Sequence, residues 1–517
     1  MPRTYPEIAA NIDRYNTPIS FICVRFSDEF EHNIAKSQCI HDPLNEFVVV
    51  DNRQNLYFDT LGQAINHGVT QARNELIVIV HEDVFLIPGW QSRLEQSLHS
   101  LAAQDPDWGL AGAVGWKADG ELVGHWSDPH LYCNTLAEHD FENIYRIDEQ
   151  ILIFRRSSPI TLDPFLPGIH NIGEDLAHST RANGLKTYVV NAPTIHKYAD
   201  EHGRKILSLS DSPKIRNRES LTYQADFDCS MEYFEAKWSP PAIPPPTDAS
   251  SVDPIDLDEP IVLLGRGGSG TRLLSEMAQD VGVFIGTNVS ASGDCIDMAP
   301  AIYRAIVRKF NCPDERQRSN IVPDLRSAAA QMISARPQRG KWGFKLPETL
   351  LILPEIRAAF PNATYVRFSR DLADTVLRRS HMTARTDNHI GRIALKVAYD
   401  HFSLSRDKIL TDESVRRMVI TTLHQLDTID DHRKVCDDDK WLDITYEQTI
   451  SNPAEQLDRL SSFLGLRILT RNITHSVDRK RQTAERMAFD TDAIERTGVL
   501  AHPRAESRRR HAKSSAA

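Results

Sequence analysis

The run Gly265-Arg266-Gly267-Gly268-Ser269-Gly270-Thr271-Arg272 follows the apolar stretch Ile261–Leu264, and a helical pattern comes after it. A strand, a glycine-rich turn and a helix start offer backbone N–H groups and a helix N-terminus, which together hold an anion. No Lys precedes the Ser or Thr to reach the β- and γ-phosphates of a magnesium nucleotide. Nor does an acid on a second strand follow a GxGxxG pattern, so the dinucleotide reading is weak. Arg266 and Arg272 flank the loop, and no magnesium-binding acid is evident on a neighbouring strand. An anion bound without metal is therefore expected. A second basic segment, "ATYVRFSRDLADTVLRRSHM" from Ala363, leads from a strand into a helix with Arg370, Arg378 and Arg379. Planar guanidinium groups there suit a second phosphate, although alone the segment also reads as a solvated basic helix face.

The other half of the chain carries acids and imidazoles at strand ends. "VIVHEDVFLIPGW" places Glu82 and Asp83 at a strand tip, where α/β proteins bind ligands. "LPGIHNIGEDLAHSTRANG" sets Glu174 and Asp175 at the start of a helical pattern, and "YVVNAPTIHKYAD" reads as a strand ending at His196. Singly, these are a turn former, a helix cap and a loop histidine. Jointly, an acid and an imidazole at separate strand ends fit a divalent cation on a diphosphate, with a second acid left as general base.

The elements that must position these groups are legible from pattern. A chain of 517 residues exceeds a single core. Between residues 239 and 260, "SPPAIPPPTDASSVDPIDLDEP" has no apolar period and acts as a semi-rigid spacer. The predicted organisation is a first domain over 1–238, a proline-rich linker over 239–260, a second domain over 261–500 and a basic disordered tail over 501–517. "ISFICVRF", "EFVVVDN" and "ELIVIVHEDV", separated by helical stretches, predict a parallel α/β sheet before the linker. "PIVLLGRG", "KWGFKLP", "ATYVRFSRD" and "WLDITYE" predict a second α/β domain after it. The net charge of -11 argues against a partner held through nucleic-acid phosphates. Seven dispersed cysteines without CxxC spacing read as reduced thiols. No stretch is apolar enough for a transmembrane segment, and a cytoplasmic protein is expected.

The order of motifs over most of residues 18–235 resembles the family 2-like glycosyltransferases of GT-A (Rossmann-like) fold. The resemblance rests on "VVVDN", on "QAINHGVTQARNELIVIVHEDV", on "YRIDEQILIFRR" and on "GEDLA". In it, the family's DxD-type metal site appears as a His-x-Asp-Val variant, with His at position 81. By that resemblance Asp83 holds Mn²⁺ or Mg²⁺ on the diphosphate of an NDP-sugar, possibly a UDP-sugar, with His196 as the late ligand. Asp175, or less readily Glu174, deprotonates the acceptor hydroxyl, and Asp51 sits near the nucleotide base. A divalent ion would neutralise the leaving diphosphate, and a single base suffices for an inverting displacement.

The glycine loop and the later arginine segment together resemble the sulfotransferases that use 3'-phosphoadenosine 5'-phosphosulfate (PAPS), over about residues 258–485. Ser269-Gly270-Thr271 match that family's 5'-phosphosulfate loop, and Arg370 with Asp374 match its 3'-phosphate segment. "KWGFKLPETLLILPEIRAAFPNATYVRFSRD" and "WLDITYEQTISNPAEQLDRLSSFLGL" extend the likeness. The resemblance implies a P-loop-like sulfotransferase fold, a 5' cradle of Arg266, Gly267, Gly268, Ser269, Gly270, Thr271 and Arg272, and Lys345 on the bridging or leaving oxygens. Where many relatives carry Lys or Arg in the loop, this chain has Gly268, leaving the 5' charge to Arg266, Arg272 or Lys345. At the family's 3'-phosphate Ser stands Arg378, with Ser380 nearby. Asp294 is the candidate base, though it also reads as a loop turn. Arg479 and Lys480 in "SVDRKRQ" could close over the nucleotide.

Both halves together imply one chain that transfers a sugar and sulfates a glycan or glycosylated small molecule. Rival readings are a sulfotransferase with a non-catalytic carbohydrate-binding module of glycosyltransferase-like fold, and a nucleotide-kinase-like second half.

Overall fold

The β-branched runs of the sequence become strands whose alternate side chains enter two apolar layers. Along the strand Ile19–Arg25, Ile19, Phe21 and Cys23 pack with Val78, Val80, Ile151 and Ile153, while Ile22 joins Ile77, Ile79, Leu152 and Phe154 in the opposite layer. Successive strand side chains leave opposite faces, so this sheet is covered on both sides. The computed structural model describes residues 17–127, 132–136, 141–196, 219–238, 257–312, 314–336, 340–377, 381–473, 476–477 and 492–502. Two compact units emerge, residues 1–215 with 229–241, and residues 216–228 with 242–517. Most of the proline-rich segment and all but residues 501 and 502 of the basic tail lie outside the described residues.

In the first unit seven strands run in the order 46–51, 19–25, 76–80, 151–155, 110–112, 187–190, 141–144. The first three are parallel, as expected. The sheet is nevertheless mixed, which corrects the all-parallel expectation, because Ile151–Arg155 lies antiparallel to both neighbours and Phe141–Ile144 antiparallel to Thr187–Val190. The cause is topological. After Leu110–Gly112 the chain builds a small sheet from Val114–Trp116, Leu122–Ser127, Tyr132–Asn134 and Arg146–Ile147. From there it re-enters with Ile151 opposite Val80, at the carboxyl end of the strand Leu76–Val80. A parallel re-entry needs a crossover connection, and the turn at residues 148–150 provides none. A second correction concerns "YVVNAPTIHKYAD". Its strand Thr187–Val190 stops before Pro193, and Thr194–His196 pairs instead with Val84–Leu86 as a separate two-stranded sheet. Proline removes a ladder donor, consistent with the break.

The second unit holds a four-stranded parallel sheet in the order Gly343–Lys345, Ile261–Leu264, Thr364–Ser369, Trp441–Thr445. All four carboxyl ends open on one edge. There the glycine loop, Leu346, Arg370 and Tyr446 follow their strands. Among the described residues no helix is long and apolar enough to cross a membrane.

Candidate functional site

The loop after Ile261–Leu264 turns tightly into the helix Thr271–Asp280. Gly268 and Gly270 have φ of +104° and +93°, a region that side chains with a Cβ enter at a cost. Ser269 closes the turn, its backbone N–H and its hydroxyl both donating to the Arg266 carbonyl, at 3.0 and 2.7 Å. Arg266 is buried and its Nη1 donates to the Gly267 carbonyl at 2.5 Å. Arg272 leaves the loop on the first turn of the helix and pairs with Glu276 at 3.1 Å.

Lys345, at the end of its strand, extends Nζ to Asp294 Oδ1 at 2.5 Å and to the Ser292 carbonyl at 2.9 Å. Both side chains of this pair are almost wholly buried. The hydroxyl of Ser292 also donates to Asp294, at 2.6 Å. The two residues singled out for transfer chemistry are thus neighbours, and in this arrangement Asp294 is the counter-ion of Lys345.

Arg370 follows Thr364–Ser369 and donates from Nη2 to Asp374 at 2.8 Å. Its guanidinium lies 4.0 Å from the centroid of the Tyr446 ring, a stacked cation–π geometry. An edge of that ring approaches the loop, for a Cβ on Gly270 would sit 2.6 Å from Tyr446 Cδ2. Nη1 of Arg370 is buried without a hydrogen-bond partner among the described residues. Such a donor is costly to leave unmatched and invites an acceptor. Arg378, Ser380 and Arg479 lie outside the described residues.

Residues 260–470 match the sulfotransferase family. The matched segment contains the glycine loop, Lys345, Arg370 and Tyr446. Similar solved structures include a sulfotransferase, STF9, from Mycobacterium avium, 11% identical with TM-score 0.33, covering 57% of this chain and 87% of that one. A sulfotransferase from Alicyclobacillus acidocaldarius is 14% identical with TM-score 0.27, covering 48% and 94%. GalNAc-T7 in complex with UDP, GalNAc and Mn²⁺ is 11% identical with TM-score 0.25, covering 44% and 55%. Among curated proteins, ATP synthase subunits region ORF 6 of Fuscovulum blasticum is 25% identical over 172 residues, 31% of this chain and 68% of that protein.

In the first unit Asp83 and His196 meet, Nε2 to Oδ2 at 3.1 Å, across the pairing of Val84–Leu86 with Thr194–His196. Asp148 and His81 share their electrostatic surroundings. Burial, opposed by the nearby Asp83, pushes the His81 imidazole down, and burial pushes Asp148 up. Among the described residues no three His, Cys, Asp or Glu side chains are grouped as metal ligands. A cation here would take Asp83 and His196 and complete its shell from a diphosphate and water. Glu82 turns away from the site and accepts from the N–H groups of Phe26 and Ser27, at 2.7 and 2.9 Å. Glu174 and Asp175 do occupy the first turn of Ile172–Ala182. Glu174 pairs with Arg146. Asp175 is buried and accepts from Lys237 Nζ and Trp238 Nε1, both at 2.7 Å. Asp51 ends its strand exposed and paired with Arg53 at 2.6 Å.

Sequence reasoning passed over Tyr446, Glu348 and His381. Tyr446 and Glu348 sit inside stretches already marked, "WLDITYE" and "KLPE". His381 also lies inside a marked stretch, "ATYVRFSRDLADTVLRRSHM", but its place beside the loop is a matter of tertiary return.

Proposed function

We propose that the second unit transfers a sulfuryl group from PAPS to a hydroxyl of a carbohydrate or glycosylated small molecule. What supports this reading is the convergence of an anion-binding glycine loop, Lys345 and Arg370 at the carboxyl edge of one parallel sheet. The loop N–H groups take the 5'-phosphosulfate and Arg370 the 3'-phosphate. The acceptor oxygen attacks sulfur in line as the bond from sulfur to the bridging oxygen breaks. The acceptor's proton passes to water, and 3'-phosphoadenosine 5'-phosphate (PAP) departs with the bridging oxygen, its charge balanced by Lys345. The domain limits 1–238 and 261–500 belong to the same proposal.

The first unit is proposed to take an NDP-sugar, with Asp83 and His196 on Mn²⁺ or Mg²⁺. The ion when bound would neutralise the leaving diphosphate, and Asp175 would accept the acceptor's proton. A second reading is favoured by a specific contact. The Asp175 carboxylate already accepts from Lys237 and Trp238, which suits a carbohydrate-binding module without transfer chemistry. Calorimetric titration with PAP, and separately with UDP and Mn²⁺, tests both on wild type, Arg370→Ala and Asp83→Ala. Two sites, each lost with its own substitution, support a bifunctional enzyme. PAP binding alone supports the module reading, and no PAP binding removes the donor assignment.

A further inference from the structure

The glycine loop lacks a basic residue at Gly268, and the cations expected to compensate are all engaged. Arg266 bends back to the Gly267 carbonyl, Arg272 pairs with Glu276, and Lys345 pairs with Asp294. The group that stands on the loop is one that sequence reasoning passed over. A Cβ on Gly267 would overlap the imidazole of His381, and the three nearest atoms to that position, Nε2, Cδ2 and Cε1, all belong to this ring. His381 is buried, and its Nδ1 accepts from the backbone N–H of Thr383 at 3.3 Å, capping the short turn Met382–Ala384. An imidazole whose Nδ1 accepts carries its proton on Nε2. The Nε2–Cδ2 edge of the ring faces Gly267, at 1.8 and 1.9 Å from the position its Cβ would take. Behind it Glu348, fully buried, places Oε1 3.7 Å from Nε2, too long for a hydrogen bond.

We propose that His381 is the side-chain donor of the 5' anion site. Its Nε2–H reaches over Gly267 to a 5'-phosphate oxygen, in place of the loop cation missing at Gly268. Gly267 is glycine because the ring occupies the volume of its Cβ. Thr383 fixes the tautomer. This inference rests on PAPS being the donor.

The test is a double-mutant cycle on the full chain, with PAP as the titrant and calorimetry as the readout. Gly267 does not adopt a left-handed φ, so Gly267→Ala perturbs the site chiefly by displacing the ring. His381→Ala is expected to weaken PAP binding about tenfold, the loss of one hydrogen bond to a charged group. Gly267→Ala should weaken it by a similar factor. Because both act through the same contact, the double variant should be no weaker than either single one, whereas independent effects would multiply to about a hundredfold. Multiplying losses, or His381→Ala binding PAP as wild type does, would overturn the assignment. Should His381→Ala fail to fold, Gly267→Ala with unchanged PAP affinity overturns it alone. A wild-type chain that does not bind PAP removes the donor reading and this inference together, whereas wild-type binding indifferent to both substitutions removes only the inference.

Discussion

Asp294→Ala is the perturbation that most directly separates stability from chemistry at the candidate sulfuryl-transfer site. The side chains of Lys345 and Asp294 are 2% and 1% exposed, with Nζ 2.5 Å from Oδ1. Deleting the carboxylate leaves an ammonium group in the interior and strips the Ser292 hydroxyl of its acceptor. Removing one member of a buried ion pair costs about 3–5 kcal/mol. For a unit of this size that corresponds to a fall of roughly 6–20 °C in melting temperature. Replacing both members, Lys345→Met with Asp294→Ala, removes the unpaired charge and should recover most of that loss, since an apolar substitute for a buried pair is often near neutral. Calorimetric unfolding of the two variants reads the stability, and sulfuryl transfer from PAPS reads the chemistry. The expected pattern is an unstable single variant and a folded but inactive double variant. A single variant melting within about 2 °C of wild type would refute the buried pair, and transfer by the double variant would refute the place given to Lys345.

Arg370→Ala should weaken PAP binding by about tenfold or more with little change in melting temperature, because Asp374, its partner, is 39% exposed; a calorimetric affinity equal to wild type would contradict the 3'-phosphate role. Asp175→Ala should destabilise the first unit by about 1–3 kcal/mol in urea unfolding, since Lys237 and Trp238 both lose an acceptor; unaltered stability would mean that the carboxylate is not held as described. His424 and His432 are both pushed down to about 4 by burial. Their folded pKa values lie below the unfolded value near 6.5, so the unfolded chain binds more protons as pH falls. Stability of the second unit should decline from about pH 6.5 towards pH 4, and His432→Gln should flatten that decline in melts across pH. Burial and the neighbouring Asp148 push Glu149 up to about 8. A folded carboxyl above its unfolded value loses stability as pH rises from about 4.5 to 8, so Glu149→Gln should stabilise the first unit at pH 8 and do little at pH 5.

Local pattern was enough for much of this. The runs "ISFICVRF", "EFVVVDN" and "PIVLLGRG" carry both periodicity and burial, and each became a strand with the parallel neighbours its spacing implied. The glycine loop was equally local, because left-handed turns and a helix start are written in consecutive residues. What could not be read was direction and return. The antiparallel entry of Ile151–Arg155 depends on which end of the sheet the chain reaches after the small sheet, and no residue in "ILIFR" encodes that. Asp175 is assigned as a base by the glycosyltransferase resemblance, yet its surroundings come from Lys237 and Trp238, some 60 residues away. His381 shows the same limit from the other side, lying inside a marked stretch with a position set wholly by how its segment folds back on Gly267.

The Tyr446 ring touches both proposed anion positions, with one edge close to Gly270 and the Arg370 guanidinium 4.0 Å from its centroid. It therefore works as a gauge block. If loop and arginine each take a phosphate as proposed, the distance between them is set by an aromatic ring that does not stretch, so the pair would respond to the spacing of two phosphates and not to their number. A nucleotide with its charges strung along one chain meets only one jaw of such a calliper. One with phosphates on both the 3' and 5' positions meets both. Selectivity between PAP and ATP would then be a matter of length, built into a phenol ring.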